Sequence, residues 1–265
     1  MALDSSDFST LAHRFRSPEA RAIVLMGSFA RGDAGQFSDV DLVRFLRDDT
    51  GADPEGKTHI VDGRLVVVSE VTPSSVRNWF TEPEAACECI RGARTGQPLW
   101  DPEGYFREIQ DRARRFVWDG TLQEKANRWA SEKLVGWAEE AHKGLGGLRD
   151  GHTGRLLNAR FGLSWGLTHV MRVQRGVLLS GDNDSYPEVA TEMGADSRWV
   201  KLSEGAFGLD GRDLEGQVRA GLALYVLTVE MLADALEPGC REVIDHTVGL
   251  IESELTSERQ RSATD

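Results

Sequence analysis

The chain has 265 residues, 40% of them hydrophobic and 28% charged, and carries a formal net charge of −12 at pH 7. That length supports one large core or two smaller ones; no apolar run approaches the roughly 18 residues of a membrane span, and the acidic balance opposes a long phosphate backbone while favouring cationic small molecules. Cys87, Cys89 and Cys240 lack metal-ligand spacing and read as free thiols of a reducing compartment, and the start MALDSSDFSTLAHRF lacks the basic and apolar regions of a signal peptide, so a cytoplasmic address is expected.

Up to residue 101 the sequence mixes short β-type runs with turns. AIVLM (22–26) is an apolar strand ended by Gly27, FARG begins a short helix, and VDLVRFL (40–46) is a second apolar strand. HIV and RLVVVSEV flank Asp62-Gly63, a dipeptide that tolerates the positive φ angles of a tight hairpin. Thr72 followed by Pro73 supplies a capping residue and a first-turn proline for the next helix.

From residue 102 helical patterns dominate. Residues 102–117 form a helix whose Arg107, Arg112, Arg114 and Arg115 read as a solvated face. Thr121 and Glu124 make a T-x-x-E capping box that opens a long helix running to about Gly146. A further helix covers about 153–179, SGDNDSYPE is a turn-rich connector, and helices follow over 213–236 and 238–258. The expected class is α+β: a small mixed-sheet domain over 1–101 followed by an all-helical bundle domain over 102–265.

The chemistry concentrates between residues 26 and 46. A period of two places Asp39 and Asp41 on one face of a strand and Val40 and Leu42 on the other. Two like charges so placed repel, and desolvation raises at least one pKa, so the arrangement is stable mainly with divalent cations between the acids. Hard oxygen ligands suit Mg²⁺, whose shell substrate phosphates commonly complete. Gly27 allows close backbone approach to a ligand, Ser28 offers a hydroxyl and an amide at a helix start, and Arg31 offers a forked pair of donors to a terminal phosphate.

Gly27-Ser28 followed by Asp39-Val40-Asp41 resembles the nucleotidyltransferase pattern of the DNA polymerase β superfamily. The chain as a whole is similar to the aminoglycoside nucleotidyltransferases of the kanamycin nucleotidyltransferase type. This resemblance implies transfer of a nucleoside monophosphate from ATP or another nucleoside triphosphate to a hydroxyl of a small acceptor, with release of pyrophosphate and two Mg²⁺ ions as cofactors. It implies that Asp39 and Asp41 are catalytic metal ligands and that Ser28 and Arg31 hold the β- and γ-phosphates.

Such sites usually recruit a third acid from a neighbouring strand, and Glu70, at the end of LVVVSEV, is the candidate metal ligand; Asp62 is a weaker rival, already explained by the hairpin. On the long helix, Ala126, Ala130, Trp137, Ala141 and Leu148 share one face, while Glu132, Glu139 and Lys143 share the opposite one. A solvated stripe with an i,i+4 pair accounts for that charged face. The resemblance extends to the E-x-A-x-K spacing of Glu139, Ala141 and Lys143, and by it Glu139 is the general base and Lys143 a phosphate contact, with Glu140 and Glu132 one register error away. The acidic connector residues Gly181 to Tyr186, with Glu188, read first as a turn and second as carboxylates for an ammonium-rich acceptor. His142, His152 and His169 have no mutual ligand spacing and receive no role.

An aminoglycoside suits the negative charge, and an antibiotic-resistance role follows from it; an uncharged acceptor such as a lincosamide fits equally. A protein-modifying minimal nucleotidyltransferase and a non-catalytic nucleotide-binding module are the alternatives, the first opposed by about 150 residues of added helix, the second by three metal-ligating acids. No membrane or long nucleic acid is expected as a partner, and the resemblance is compatible with a homodimer.

Overall fold

The computed structural model describes residues 5–50 and 57–262. The chain divides into two compact units, one formed by Met1–Asp119 with Leu178–Asp184 and the other by Gly120–Val177 with Ser185–Asp265. The α+β expectation holds.

The first unit is built on a five-stranded mixed sheet. In chain order it contains α1 (Ser5–Arg14), β1 (Ala20–Leu25), α2 (Gly27–Arg31), β2 (Val40–Leu46), β3 (Lys57–Val61), β4 (Arg64–Val71), α3 (Pro73–Asn78), α4 (Pro83–Thr95), β5 (Gln97–Trp100) and α5 (Tyr105–Arg114). The strand order is β3-β4-β2-β1-β5. β1 runs antiparallel to both β2 and β5, whereas β2 and β4 are parallel. β3 and β4 form the hairpin that Asp62-Gly63 announced, with both turn residues at positive φ, 51° and 77°.

β2 sits centrally because its apolar residues serve both faces. Phe45 joins Ala22 and Val24 on one face, under Val76, Trp79, Ala86, Ile90 and Phe106 from α3, α4, α5 and their connections. Val40 and Leu42 join Leu25, Val66 and Val68 on the other, under Leu11 of α1 and Ala30 of α2. Phe45 is fully buried, with ring centroids of Trp79, Tyr105 and Phe106 at 5.8, 6.1 and 5.3 Å. Its truncation to Ala would cost about 3–5 kcal/mol.

The unit boundary falls after Asp119, not at residue 101. The helix expected to open the second domain, α5, instead lays Phe106, Ile109 and Ala113 into the sheet core. The connector returns to the same unit: Leu178 packs on that core, and the Leu179 N–H donates to the Cys87 carbonyl of α4 at 2.8 Å.

The second unit is helical. α6 (Gly120–Asp150) runs 31 residues, from one residue ahead of Thr121. It is followed by α7 (Thr153–Phe161), a π-helical segment (Gly162–Gly166), α8 (Leu167–Gln174), α9 (Ser185–Met193), α10 (Arg198–Phe207), α11 (Leu214–Met231) and α12 (Arg241–Ser262). Ala126, Ala130, Leu134, Ala138 and Ala141 bury one stripe of α6. The single helix expected over 153–179 runs as α7, the π segment and α8 and ends at Gln174; Gly166 makes room for Trp137 of α6, whose ring would stand 2.3 Å from a β-carbon there. Two large buried side chains are satisfied within the core, with Trp199 donating to Thr228 at 3.1 Å and the Tyr225 hydroxyl to the Leu134 carbonyl at 3.0 Å. Among the described residues no helix is long and apolar enough to cross a membrane.

Candidate active site

The site lies in the first unit, where β1 ends and β2 begins. Met26 is extended, its N–H donates to the Asp41 carbonyl at 2.9 Å, and the chain then turns at Gly27, φ 62°. The backbone of Gly27 thereby packs directly on the Asp41 carboxylate, a contact only glycine permits. α2 is a helix of five residues closed by Gly32 in the left-handed region, φ 84°, and is tied to β5 by Gln97 Nε2 donating to the Ala30 carbonyl at 2.6 Å. So short a helix has little macrodipole, and the task of attracting phosphate falls on side chains and individual amides.

Asp39 precedes β2 by one residue and Asp41 is its second residue, both partly buried. Asp41 shares a face with Val43 and Phe45, whereas Val40 and Leu42 point into the opposite core. The two acids are electrostatic neighbours. Burial first, then the charges of Asp39 and Asp182, raise the Asp41 pKa from 3.8 to about 6, and Arg31 opposes the rise. An acid raised above its ordinary range by burial and then by neighbouring carboxylates fits a cation site.

Arg31 stands beside these acids but is not idle. Its Nε donates to Asp33 at 3.1 Å and its Nη1 to the Ser180 carbonyl at 2.8 Å, leaving the side chain 23% exposed. Segment 178–184 therefore joins Arg31 and the aspartates. That segment also carries Asp182, whose charge acts on Asp41. Its acidic surroundings were visible, but nothing in the sequence relates a turn 141 residues downstream to β2.

Glu70 is not brought to this cluster. In the parallel register of β2 and β4, Asp41 stands opposite Val67 and Arg44 opposite Glu70. A three-residue offset reverses the face, so Glu70 points away from the Asp41 side and pairs with Arg44. Its expected role as the third metal ligand draws no support from this register. On the Asp41 face β4 offers Leu65, Val67, Ser69 and Val71, none of them acidic. Asp62 serves its hairpin turn.

In the helical unit Lys143 bridges the two glutamates, with Nζ 2.9 Å from Glu139 and 2.7 Å from Glu140. Those carboxylates, Glu140 ahead of Glu139, raise the Lys143 pKa. The glutamates differ sharply: the Glu139 side chain is 74% exposed and that of Glu140 17%. Glu140 lies against Gly162 of the π segment, and its Oε2 is buried without a hydrogen-bond partner. Glu132 is exposed on the same helix.

Residues 10–80 match the model of the Nucleotidyltransferase domain. That stretch holds Gly27, Ser28, Arg31, Asp39 and Asp41. No curated protein matches the sequence. A solved nucleotidyltransferase-like protein from Exiguobacterium sibiricum 255-15 is similar over 96% of this chain and 78% of its own, at 16% identity and a TM-score of 0.47, too distant a likeness to carry an argument. The chain carries a nucleotidyltransferase domain at residues 10–80.

Proposed function

We propose that the protein is a Mg²⁺-dependent enzyme that moves a nucleoside monophosphate from ATP or another nucleoside triphosphate to a hydroxyl of a small acceptor, an aminoglycoside-type antibiotic before others. The observation that carries the reading is the coincidence of the domain match with the packing of Gly27 on Asp41 beside Asp39 and Arg31.

Asp39 and Asp41 would hold the metal. Their fit rests on the donor set: two hard carboxylate oxygens side by side, one of them half-buried and reluctant to ionise without a cation. Bound Mg²⁺ ions would neutralise the triphosphate and stabilise the attacking and leaving oxygens. Ser28 would offer a hydroxyl and an amide to the β- and γ-phosphates. Arg31, already anchored on one side by Ser180, is pre-ordered for the same task. In the transfer the acceptor oxygen bonds to the α-phosphorus, the bond to the bridging oxygen breaks, and pyrophosphate leaves with its electron pair. The hydroxyl proton would pass to Glu139, with Glu140 the alternative one position on, and Lys143 would contact phosphate.

The net charge of −12 favours a polycationic acceptor over a polyanionic one. The test is pyrophosphate release from ATP and GTP with Mg²⁺ across a panel of aminoglycosides and lincosamides, with mass spectrometry of the acceptor. A mass gain of one nucleoside monophosphate on an aminoglycoside is expected. Release on no small acceptor, with label transferred to protein instead, would replace this reading with protein modification.

A further inference from the structure

We infer that the cavity on the Val40 side of the sheet binds a small amphipathic anion, an apolar chain or ring carrying one carboxylate, with Arg14 at its mouth as the partner of that charge. The site is separate from the one that holds Asp41, and the inference does not rest on the nucleotidyl-transfer reading.

The cavity has a volume of about 820 Å³ and lies within the first unit, between the second half of α1, the segment after α2 and the tip of the β3-β4 hairpin. Well-packed faces leave few voids larger than a water molecule, and small-ligand sites run from about 300 to 1,000 Å³. Where it meets the sheet and the helices it is apolar, lined by Leu11, Phe29, Val40, Val61 and Val66. β2 separates it from the candidate active site, because Val40 faces this side and Asp41 the other. The wall after α2 is fixed by its own hydrogen bonds. The Gly35 N–H donates to Ser38 Oγ at 2.9 Å and the Ser38 N–H to the Gly35 carbonyl at 3.2 Å.

The charges at the mouth select the ligand. Arg14 is exposed, its guanidinium lies 5.9 Å from the Phe15 ring, and among the described residues no carboxylate pairs with it. Arg64, half-buried on the hairpin side, adds a second positive charge. Asp62 is the one carboxylate among the described lining residues, and it sits exposed at the hairpin tip. In a chain of net charge −12, a mouth with two arginines to one aspartate is a local reversal of sign that opposes a cationic ligand. A triphosphate asks for more donors than two side chains supply and gains nothing from the apolar lining. An apolar body ended by one carboxylate uses both parts: the body displaces water from the lining, and the carboxylate meets a guanidinium.

The test titrates hexanoate, octanoate and neutral octanamide into full-length protein by calorimetry, in metal-free buffer so that no cation holds the carboxylate. One saturable site is expected for octanoate, about tenfold tighter than for hexanoate because two more methylenes leave water. It should also be about threefold tighter than for octanamide. Arg14→Gln, at an exposed position, should erase the preference over octanamide and keep the dependence on chain length. Ala34→Phe and Thr10→Phe fill the cavity from separate walls, and either one that melts like wild type should weaken octanoate by about tenfold or more. Asp41→Asn should bind octanoate like wild type. Uptake without saturation, equal affinity for octanoate and octanamide, or a preference that survives Arg14→Gln overturns the inference. Octanoate binding lost in Asp41→Asn would move the anion to the other face of the sheet and overturn it as well. None of these outcomes bears on nucleotidyl transfer, since neither metal nor nucleotide is present.

Discussion

A β-carbon at residue 27 would stand 2.0 Å from Oδ2 of Asp41 and 3.0 Å from its Cγ. The glycine is also at φ 62°, where side chains are strained. Gly27→Ala should therefore do two separable things. The left-handed backbone alone costs about 1–2 kcal/mol, visible as a modest loss in melting temperature. Displacing the Asp41 carboxylate removes a metal ligand from its position, so turnover should fall far more than stability, by about 10²-fold or more. Melting curves and steady-state kinetics on one preparation check both halves.

The pH dependence of Asp41 has a definite sign. Its pKa rises from 3.8 in the unfolded chain to about 6 in the fold, through burial first and then Asp39 and Asp182. Between about pH 4 and 6 the folded protein binds more protons than the unfolded one, so the metal-free protein should lose stability from this group as pH rises through that window. Asp41→Asn should flatten that slope, fold at least as well as wild type above pH 6, and have no turnover. A cation must displace the same proton, so Mg²⁺ affinity should drop by up to about tenfold per pH unit below about pH 6 and level off above it. Calorimetric titration at pH 5, 6, 7 and 8 follows this.

The same residues show what the sequence could and could not disclose. Alternation within VDLVRFL was enough to set Asp41 on the face opposite Val40 and Leu42, because a strand's period is local. The Asp62-Gly63 hairpin was legible for the same reason, since two residues determine the turn. The face of Glu70 was not legible in the same way, because it depends on the register of β4 against β2, and a single-residue slip reverses it. α4 carries Ala86, Ile90 and Ala93 at helical spacing in front of the sheet, yet it was not picked out from EPEAACECIRGART, whose short apolar side chains give a weak periodic signal. The place of α5 in the first unit, and of Asp182 beside Asp41, depends on long-range packing that periodicity does not encode.

Glu70 has a prediction of its own. The Arg44 and Glu70 side chains are 20% and 11% exposed and form an ion pair across β2 and β4, and Arg44 also donates to the Phe15 carbonyl at 3.2 Å. Glu70→Gln should leave Mn²⁺ binding unchanged and cost roughly 1–3 kcal/mol by stranding a largely buried guanidinium. Urea unfolding and metal titration on the same variant separate the two roles. Lost metal affinity with unchanged stability would restore the ligand assignment.

The identity of the base turns on Glu139 and Glu140, adjacent on α6 but in different surroundings. Glu139 is largely exposed and shares Lys143 with its neighbour, so Glu139→Gln should leave the fold intact. If it accepts the acceptor's proton, kcat should fall by about 10²-fold or more with little change in nucleotide affinity. Glu140 is packed on Gly162, with one oxygen bonded to Lys143 and the other buried without a partner. Glu140→Gln removes the closer of the two carboxylates holding Lys143, so its first effect should be on stability. A buried carboxylate with an unused oxygen is also what a proton acceptor requires once its substrate arrives. Single-turnover rates for both variants, measured well below their melting temperatures, decide between them. A rate lost in Glu140→Gln and kept in Glu139→Gln would move the base by one position and make the 2.7 Å contact with Lys143 the feature that orients it.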